Sequence, residues 1–241
     1  MSTEQQPVDP QAVEETKQQI RGLVEEINRL AKQELEPNVF YGEFLQRDVS
    51  ALAATGGAVW TLSEEGPLRL MYQINLRESL PEEQGEDHVR HARLLHHVVR
   101  TGEPMLVPPY SGAEGEDEAG NPTAHLLVLA PLRSEDSVVG VVEIFQRPTS
   151  GPASQRGYLR FLTQMCALVR DYLKGRRLRQ LSDQQSLFSK ADRFSKVVHD
   201  SLEPRTIAYT IANEGRRLIG CDRVSVAIRR GNRCKIEAVS G

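Results

Sequence analysis

The stretch Ala130-Pro-Leu-Arg-Ser-Glu-Asp-Ser-Val-Val-Gly-Val-Val-Glu-Ile-Phe-Gln-Arg-Pro148 decides the fold. It holds most of two nearly continuous apolar runs, His125 to Leu132 and Val138 to Phe145, joined by the charged turn Arg133 to Asp136. A strand with one wet face alternates apolar and polar residues, whereas an unbroken run predicts a strand covered on both faces. This hairpin therefore needs packing partners above and below it, and the rest of the chain must supply them.

Upstream, Ala58 to Leu62 reads as a short strand and Glu64 to Pro67 as a turn. Leu68, Leu70, Tyr72, Ile74 and Leu76 then alternate with Arg69, Met71, Gln73 and Asn75, which predicts a second strand burying one face. Ala92, Leu95, Val98 and Val99 mark a helix ending at Gly102, with Pro104 blocking its continuation. Met105 to Val107 is a short extended piece. Ser111 to Pro122, rich in Gly and acids, reads as a loop without an apolar anchor. Nearer the N-terminus, Val13, Ile20, Val24, Ile27 and Ala31 trace one amphipathic helix that stops at Pro37. Phe44, Leu45, Val49, Leu52 and Ala53 trace a second, ended by Gly56 and Gly57.

Downstream of Pro148 a long helix carries Leu162, Cys166, Val169 and Leu173 at heptad spacing. The stripe weakens over Lys174 to Ser186 and returns in shifted phase at Leu187, Ala191, Phe194 and Val198. An internal repeat follows. Leu35-Glu36-Pro37, a helix, glycines and a strand are echoed by Leu202-Glu203-Pro204, a helix through Ile207, Ile211 and Leu218, Gly220, and the strand Val224 to Ile228. Arg230-Gly231-Asn232 turns the chain into a last strand, Lys235 to Val239. The expected organisation is an N-terminal amphipathic helix (1–34), one complete domain (35–173), a coiled-coil-like helical linker (174–201) and the incomplete start of a second copy (202–241).

The 241 residues carry 30 basic and 33 acidic side chains, three cysteines and one tryptophan. Every hydrophobic run is interrupted well short of the roughly 18 apolar residues that span a membrane. The polar, acidic N-terminus does not read as a secretory signal. The unevenly spaced cysteines frame neither disulfides nor a metal site, so a cytoplasmic setting is expected. Charge is asymmetric: residues 1–174 sum to −10 and 175–241 to +7. The excess comes from Arg176, Arg177, Arg179, Arg216, Arg217, Arg229, Arg230 and Arg233. Aromatic interleaving is lacking there, and no helix-turn-helix or zinc pattern accompanies the arginines, so a solvated face is expected and nucleic acid is not.

The order helix, hairpin, helix, strand, acidic loop, two strands and long exit helix resembles a GAF domain, the sensing module of signalling proteins. The resemblance rests on His97-Val-Val-Arg-Thr-Gly-Glu-Pro-Met-Leu-Val-Pro108, on the hairpin quoted above, and on Ile219-Gly-Cys-Asp-Arg-Val-Ser-Val-Ala227. It implies an α+β, PAS/GAF-type antiparallel sheet flanked by helices, with long N- and C-terminal signalling helices. A ligand pocket would lie under helices and loops on one sheet face, and a homodimer would form through the helices.

Candidate ligand-binding residues are Trp60, Tyr72, Asn75, Tyr110 and His125, aromatic or amide groups on strands or beside the acidic loop. Other chemistries fit less well. Positions that resemble the cyclic-nucleotide site hold Gln146-Arg147, with Tyr158 or Phe161, and Gln164 to Cys166 in place of acids. Members that reduce free methionine sulfoxide need several thiols around one pocket, and the complete copy has only Cys166. His88, His91, His96 and His97 cluster on one helix, but His96 and His97 do not both join the face of the other two. Solvated imidazoles are expected, and the sequence names no cofactor.

The function that follows is a non-enzymatic sensory or regulatory protein. It binds a small molecule or mediates dimerisation and passes the signal through its exit helix to a downstream effector or partner. Two alternatives remain. One is the cytoplasmic N-terminal GAF region of a HlyD-like membrane-fusion adaptor, which would meet a membrane only through a downstream region. The other is a metal-dependent enzyme using the His88 to His97 cluster.

Overall fold

The computed structural model describes residues 10–63, 66–76, 85–113, 116–135 and 137–241. In chain order the elements are α1 (Pro10–Ala31), α2 (Pro37–Ala51), β1 (Gly56–Leu62), β2 (Leu68–Ile74), α3 (Glu86–Thr101) and β3 (Met105–Val107). The short strands β4 (Gly112–Ala113) and β5 (Glu116–Gly120) precede β6 (Leu126–Ser134) and β7 (Ser137–Gln146). Helices α4 (Pro152–His199) and α5 (Pro204–Ile219) and strands β8 (Val224–Arg230) and β9 (Arg233–Ser240) complete the chain. It divides into two compact units, 1–176 and 177–241.

The first unit is built on a five-stranded antiparallel sheet of order β2-β1-β7-β6-β3. The two apolar runs become β6 and the central strand β7, and they are covered on both sides as their composition requires. Val128, Ala130, Val142 and Ile144 point to a core shared with α1, α2 and α4, through Ile27, Phe40, Phe44, Leu45, Met165 and Val169. Leu127, Leu129, Val141 and Phe145 point the other way, to Leu94, Leu95 and Val98 of α3. Phe40 of α2 stacks on Tyr172 of α4 with ring centroids 3.6 Å apart, and the Tyr172 hydroxyl donates to the Leu35 carbonyl at 3.0 Å.

Local chemistry explains the helix limits. Pro37 opens α2 after an extended Glu36, a position where a missing N–H costs nothing. Helix α3 has Glu86 and Asp87 in its first turn, where the helix dipole favours anions, and Gly102 closes it at φ 68°.

Two expectations are corrected. The β1–β2 register shifts between Val59 and Trp60, which pair with Tyr72 and Leu70 respectively, so Met71 is an extra, bulged residue. The bulge reverses the alternation: Leu68 packs with the α3 core, whereas Met71 and Ile74 pack with the α2 core. The acidic segment Ser111 to Pro122 is not an unanchored loop either, because it contains the β4–β5 hairpin and Ala119 lies fully buried in the α3 core. Residues 114–115 of that segment, and 64–65 of the predicted turn, lie outside the described residues.

In the second unit α5 packs on the β8–β9 hairpin around Ala208, Ala212 and Ala238, with Val224, Val226 and Ile228 partly buried beside them. The sequence echo has a structural counterpart. When Pro204 is set on Pro37, the register shift at Val226/Ala227 falls on the one at Val59/Trp60. Ala208 and Ala212 then occupy the places of Tyr41 and Leu45.

Candidate ligand-binding site

On the α3 face, three side chains from three elements meet at one carboxylate. Trp60 of β1 donates its indole N–H to Glu143 Oε2 at 2.9 Å, and His91 Nε2 of α3 lies 2.7 Å from Glu143 Oε1. The imidazole also meets the Trp60 ring edge-on, with centroids 6.0 Å apart. Glu143 is fully buried and His91 nearly so. Burial alone pushes the His91 pKa down, but the charge of Glu143 and the hydrogen bond to it outweigh that and hold it above the ordinary 6.5. Both carboxylate oxygens and the imidazole Nε2 are thus engaged within the cluster. Such a knot fixes α3 against β1 and β7. It leaves neither group poised to abstract a proton from a bound molecule.

Trp60 and His125 share this sheet face. His125 precedes β6, is half-buried, and meets Phe145 edge-on at 5.9 Å, further along β7 than Val141, the partner of Trp60. Tyr72 lies across the sheet. It pairs with Val59, and its ring sits over Gly42 of α2 so closely that a Cβ there would come within 2.9 Å of it. Asn75 follows β2 with φ 56°, and Tyr110, 69% exposed with φ 53°, follows β3. The five candidates thus do not converge on one point.

Sequence reasoning missed Glu143 and Asn121. The signal for Glu143 was a lone carboxylate inside an otherwise apolar strand, which demands a buried partner. Asn121 is fully buried and organises the approach to β6. Its Nδ2 donates to the carbonyls of Val107, Pro108 and His125 at 3.1, 2.9 and 2.7 Å, and its Oδ1 accepts from the Thr123 N–H and hydroxyl, both at 2.8 Å.

The histidine cluster does not behave as a set of solvated imidazoles. His91 is buried on Glu143, His88 and His97 are half-buried, and His96 is exposed. Among the described residues no three of the His, Cys, Asp and Glu side chains are grouped so as to hold a metal ion. Gln146, placed by resemblance at the cyclic-nucleotide position, is buried and donates to the Leu52 carbonyl at 2.7 Å. Burial pushes the Cys166 thiol well up, with a smaller push from Asp48, which disfavours the reactive thiolate. Both oxygens of Asp48 are buried without a hydrogen-bond partner.

No family model matches the sequence, and no curated protein matches it. Solved structures do. The GAF domain of A. aeolicus nlh2 in an inactive state superposes with a TM-score of 0.50 at 18% identity, over 67% of this chain and 99% of that one. The GAF domain of a putative sensor histidine kinase from Pseudomonas syringae pv. tomato gives 0.50 at 14% identity, over 73% and 99%. A free methionine-R-sulfoxide reductase from Neisseria meningitidis follows at 0.49 and 10% identity, over 74% and 98%, a likeness too slight to carry an argument. The chain has a GAF-type fold, α+β with an antiparallel sheet between helices. At these identities the likeness fixes the fold and leaves the chemistry to the residues. Among the described residues no helix is long and apolar enough to cross a membrane.

Proposed function

We propose that the chain is a non-enzymatic, cytoplasmic regulatory module that self-associates through α4 and binds a small molecule on the α3 face near Trp60 and His125. The observation that carries this reading is the character of α4. Its first part contributes Leu162, Met165, Val169 and Tyr172 to the core, and the same uninterrupted helix goes on to expose Leu178, Leu181, Leu187 and Phe188. A rigid helix anchored in a core reports any shift of that core along its length. Of these, Leu178, Leu181 and Phe188, at steps of three and seven, fall on one side of the helix and suit a paired helix. The engaged His91–Glu143 pair and the buried Cys166, whose thiol pKa is pushed well up by burial, support the non-enzymatic part of the reading.

The alternatives gain no comparable support. For a metal enzyme, one member of the histidine cluster, His91, is already engaged with Glu143. The adaptor reading, itself a GAF region, differs from the proposal only in a downstream membrane part, on which the neighbouring structures say nothing. Sedimentation velocity tests the proposal. The chain is expected to sediment as a dimer at micromolar concentration and the Leu181→Glu/Phe188→Glu variant as a monomer. A wild-type monomer would remove the helix-pairing part of the reading.

A further inference from the structure

A cavity of about 610 Å³ lies in the first unit, lined by neither Trp60 nor His125. It is bounded by Tyr41 of α2, the end of β1 at Thr61 to Ser63, Arg69 to Met71 of β2, Val139 of β7, and Leu173 and Arg176 of α4. The volume falls in the range of roughly 300–1,000 Å³ typical of small-molecule sites.

Arg69 and Arg176 bring two guanidinium groups to the wall, and no acidic side chain lines it among the described residues. The Ser63 hydroxyl is buried and has no hydrogen-bond partner, a condition that native structures rarely leave unanswered. The Tyr41 phenol stays protonated: burial, and to a lesser degree Tyr172, push its pKa up to about 12, against a small lowering by the charge of Arg176. It is thus a hydrogen-bond donor within the field of that guanidinium. Leu62, Met71, Val139 and Leu173 make up the apolar remainder. A guanidinium fork matches a carboxylate in a two-pronged geometry, and hydroxyl donors complete its coordination.

We propose that this cavity binds a small organic acid, an apolar body ending in a carboxylate, with Arg176 as the principal anion contact and Ser63 and Tyr41 as donors beside it. The proposal does not depend on a ligand at the α3 face, because the two sites are lined by different residues. It places the anion contact on α4 itself, at the residue where the first unit ends. An occupied site would hold that turn of the helix against β1 and β2.

The test uses the 241-residue chain with sodium octanoate, followed by isothermal titration calorimetry, with octan-1-ol and octylammonium as length-matched controls. Octanoate is expected to bind saturably, one per chain, and at least ~10-fold more tightly than either control, the factor that one charge-assisted hydrogen bond supplies. Arg176→Gln should weaken octanoate by a similar factor and leave octanol unchanged. Met71→Trp, which fills the space, should abolish both. Circular dichroism and thermal melts establish that each variant is folded. Equal binding of octanol or octylammonium, unchanged octanoate affinity in folded Arg176→Gln, or no saturable octanoate binding would each overturn the proposal.

Discussion

His91 on α3 and Glu143 on the central strand form a buried pair, Nε2 to Oε1 2.7 Å, and it ties the helix on that face to the middle of the sheet. Removing one member leaves the other buried polar group without its partner. His91→Leu is therefore expected to cost about 3–5 kcal/mol in urea denaturation, and His91→Gln less, since an amide can still donate to the carboxylate. The pH dependence follows from the raised pKa of His91. Its stabilisation is fully present below the ordinary value near 6.5 and is lost as pH rises through the higher folded value. The gap between wild type and His91→Gln should thus be wider at about pH 5.5 than at about pH 9. An NMR titration that places His91 below its ordinary value would contradict this.

Asp48 makes the opposite prediction for a substitution. Its carboxyl is fully buried with no partner for either oxygen, and burial pushes its pKa well above the ordinary 3.8. A group shifted this way favours folding below its ordinary pKa and opposes it increasingly as pH rises through the folded value. Asp48→Leu, with the same branched outline and apolar, is expected to stabilise the protein by about 1–3 kcal/mol near neutral pH, with little gain in acid. Chemical denaturation at several pH values checks both statements.

Gly140 on β7 sits against the backbone carbonyl of Trp60, where any Cβ would overlap the oxygen. The two strands are paired there, with Thr61 opposite Gly140. Gly140→Ala must push β1 away from the central strand or break the ladder. The expected result is a loss of more than about 3 kcal/mol, read as a lowered melting temperature or failure to fold.

Asn121 holds three carbonyls through one amide nitrogen. Asn121→Asp keeps the shape and the Thr123 contacts but replaces that donor with an acceptor facing those carbonyls. A cost of about 2–4 kcal/mol is expected, with faster amide exchange around Val107 and His125, measurable by hydrogen exchange mass spectrometry.

The sheet was legible where burial writes itself into composition. The runs around Val128 and Val142 are unbroken because helices cover both faces, and no wet face forces polar alternation. The limits of α2 and α3 were legible from Pro37 and Gly102, whose backbone constraints act locally. Tyr72 shows where such reasoning ends. Counting by twos from Leu68 keeps both on one face, but the bulged Met71 shifts the count and moves Tyr72 to the α2 side. An inserted residue in a ladder depends on its partner strand and leaves no mark in its own sequence. Ala119 was hidden for a related reason: one methyl group among acids carries almost no periodic signal, yet it is enough to dock a hairpin on α3. Neither the Ser63 hydroxyl nor the two arginines near it were singled out as a site, because their convergence depends on tertiary folding.

The alanines at 208 and 212, standing where the first unit has Tyr41 and Leu45, give the two halves of the chain unequal resistance to opening. A helix held to its hairpin by methyl groups gives up little apolar contact when it lifts away, whereas one held by aromatic rings gives up a great deal. Thermal fluctuation is therefore expected to open the contact of α5 with β8 and β9 more readily than that of α2 with its own sheet.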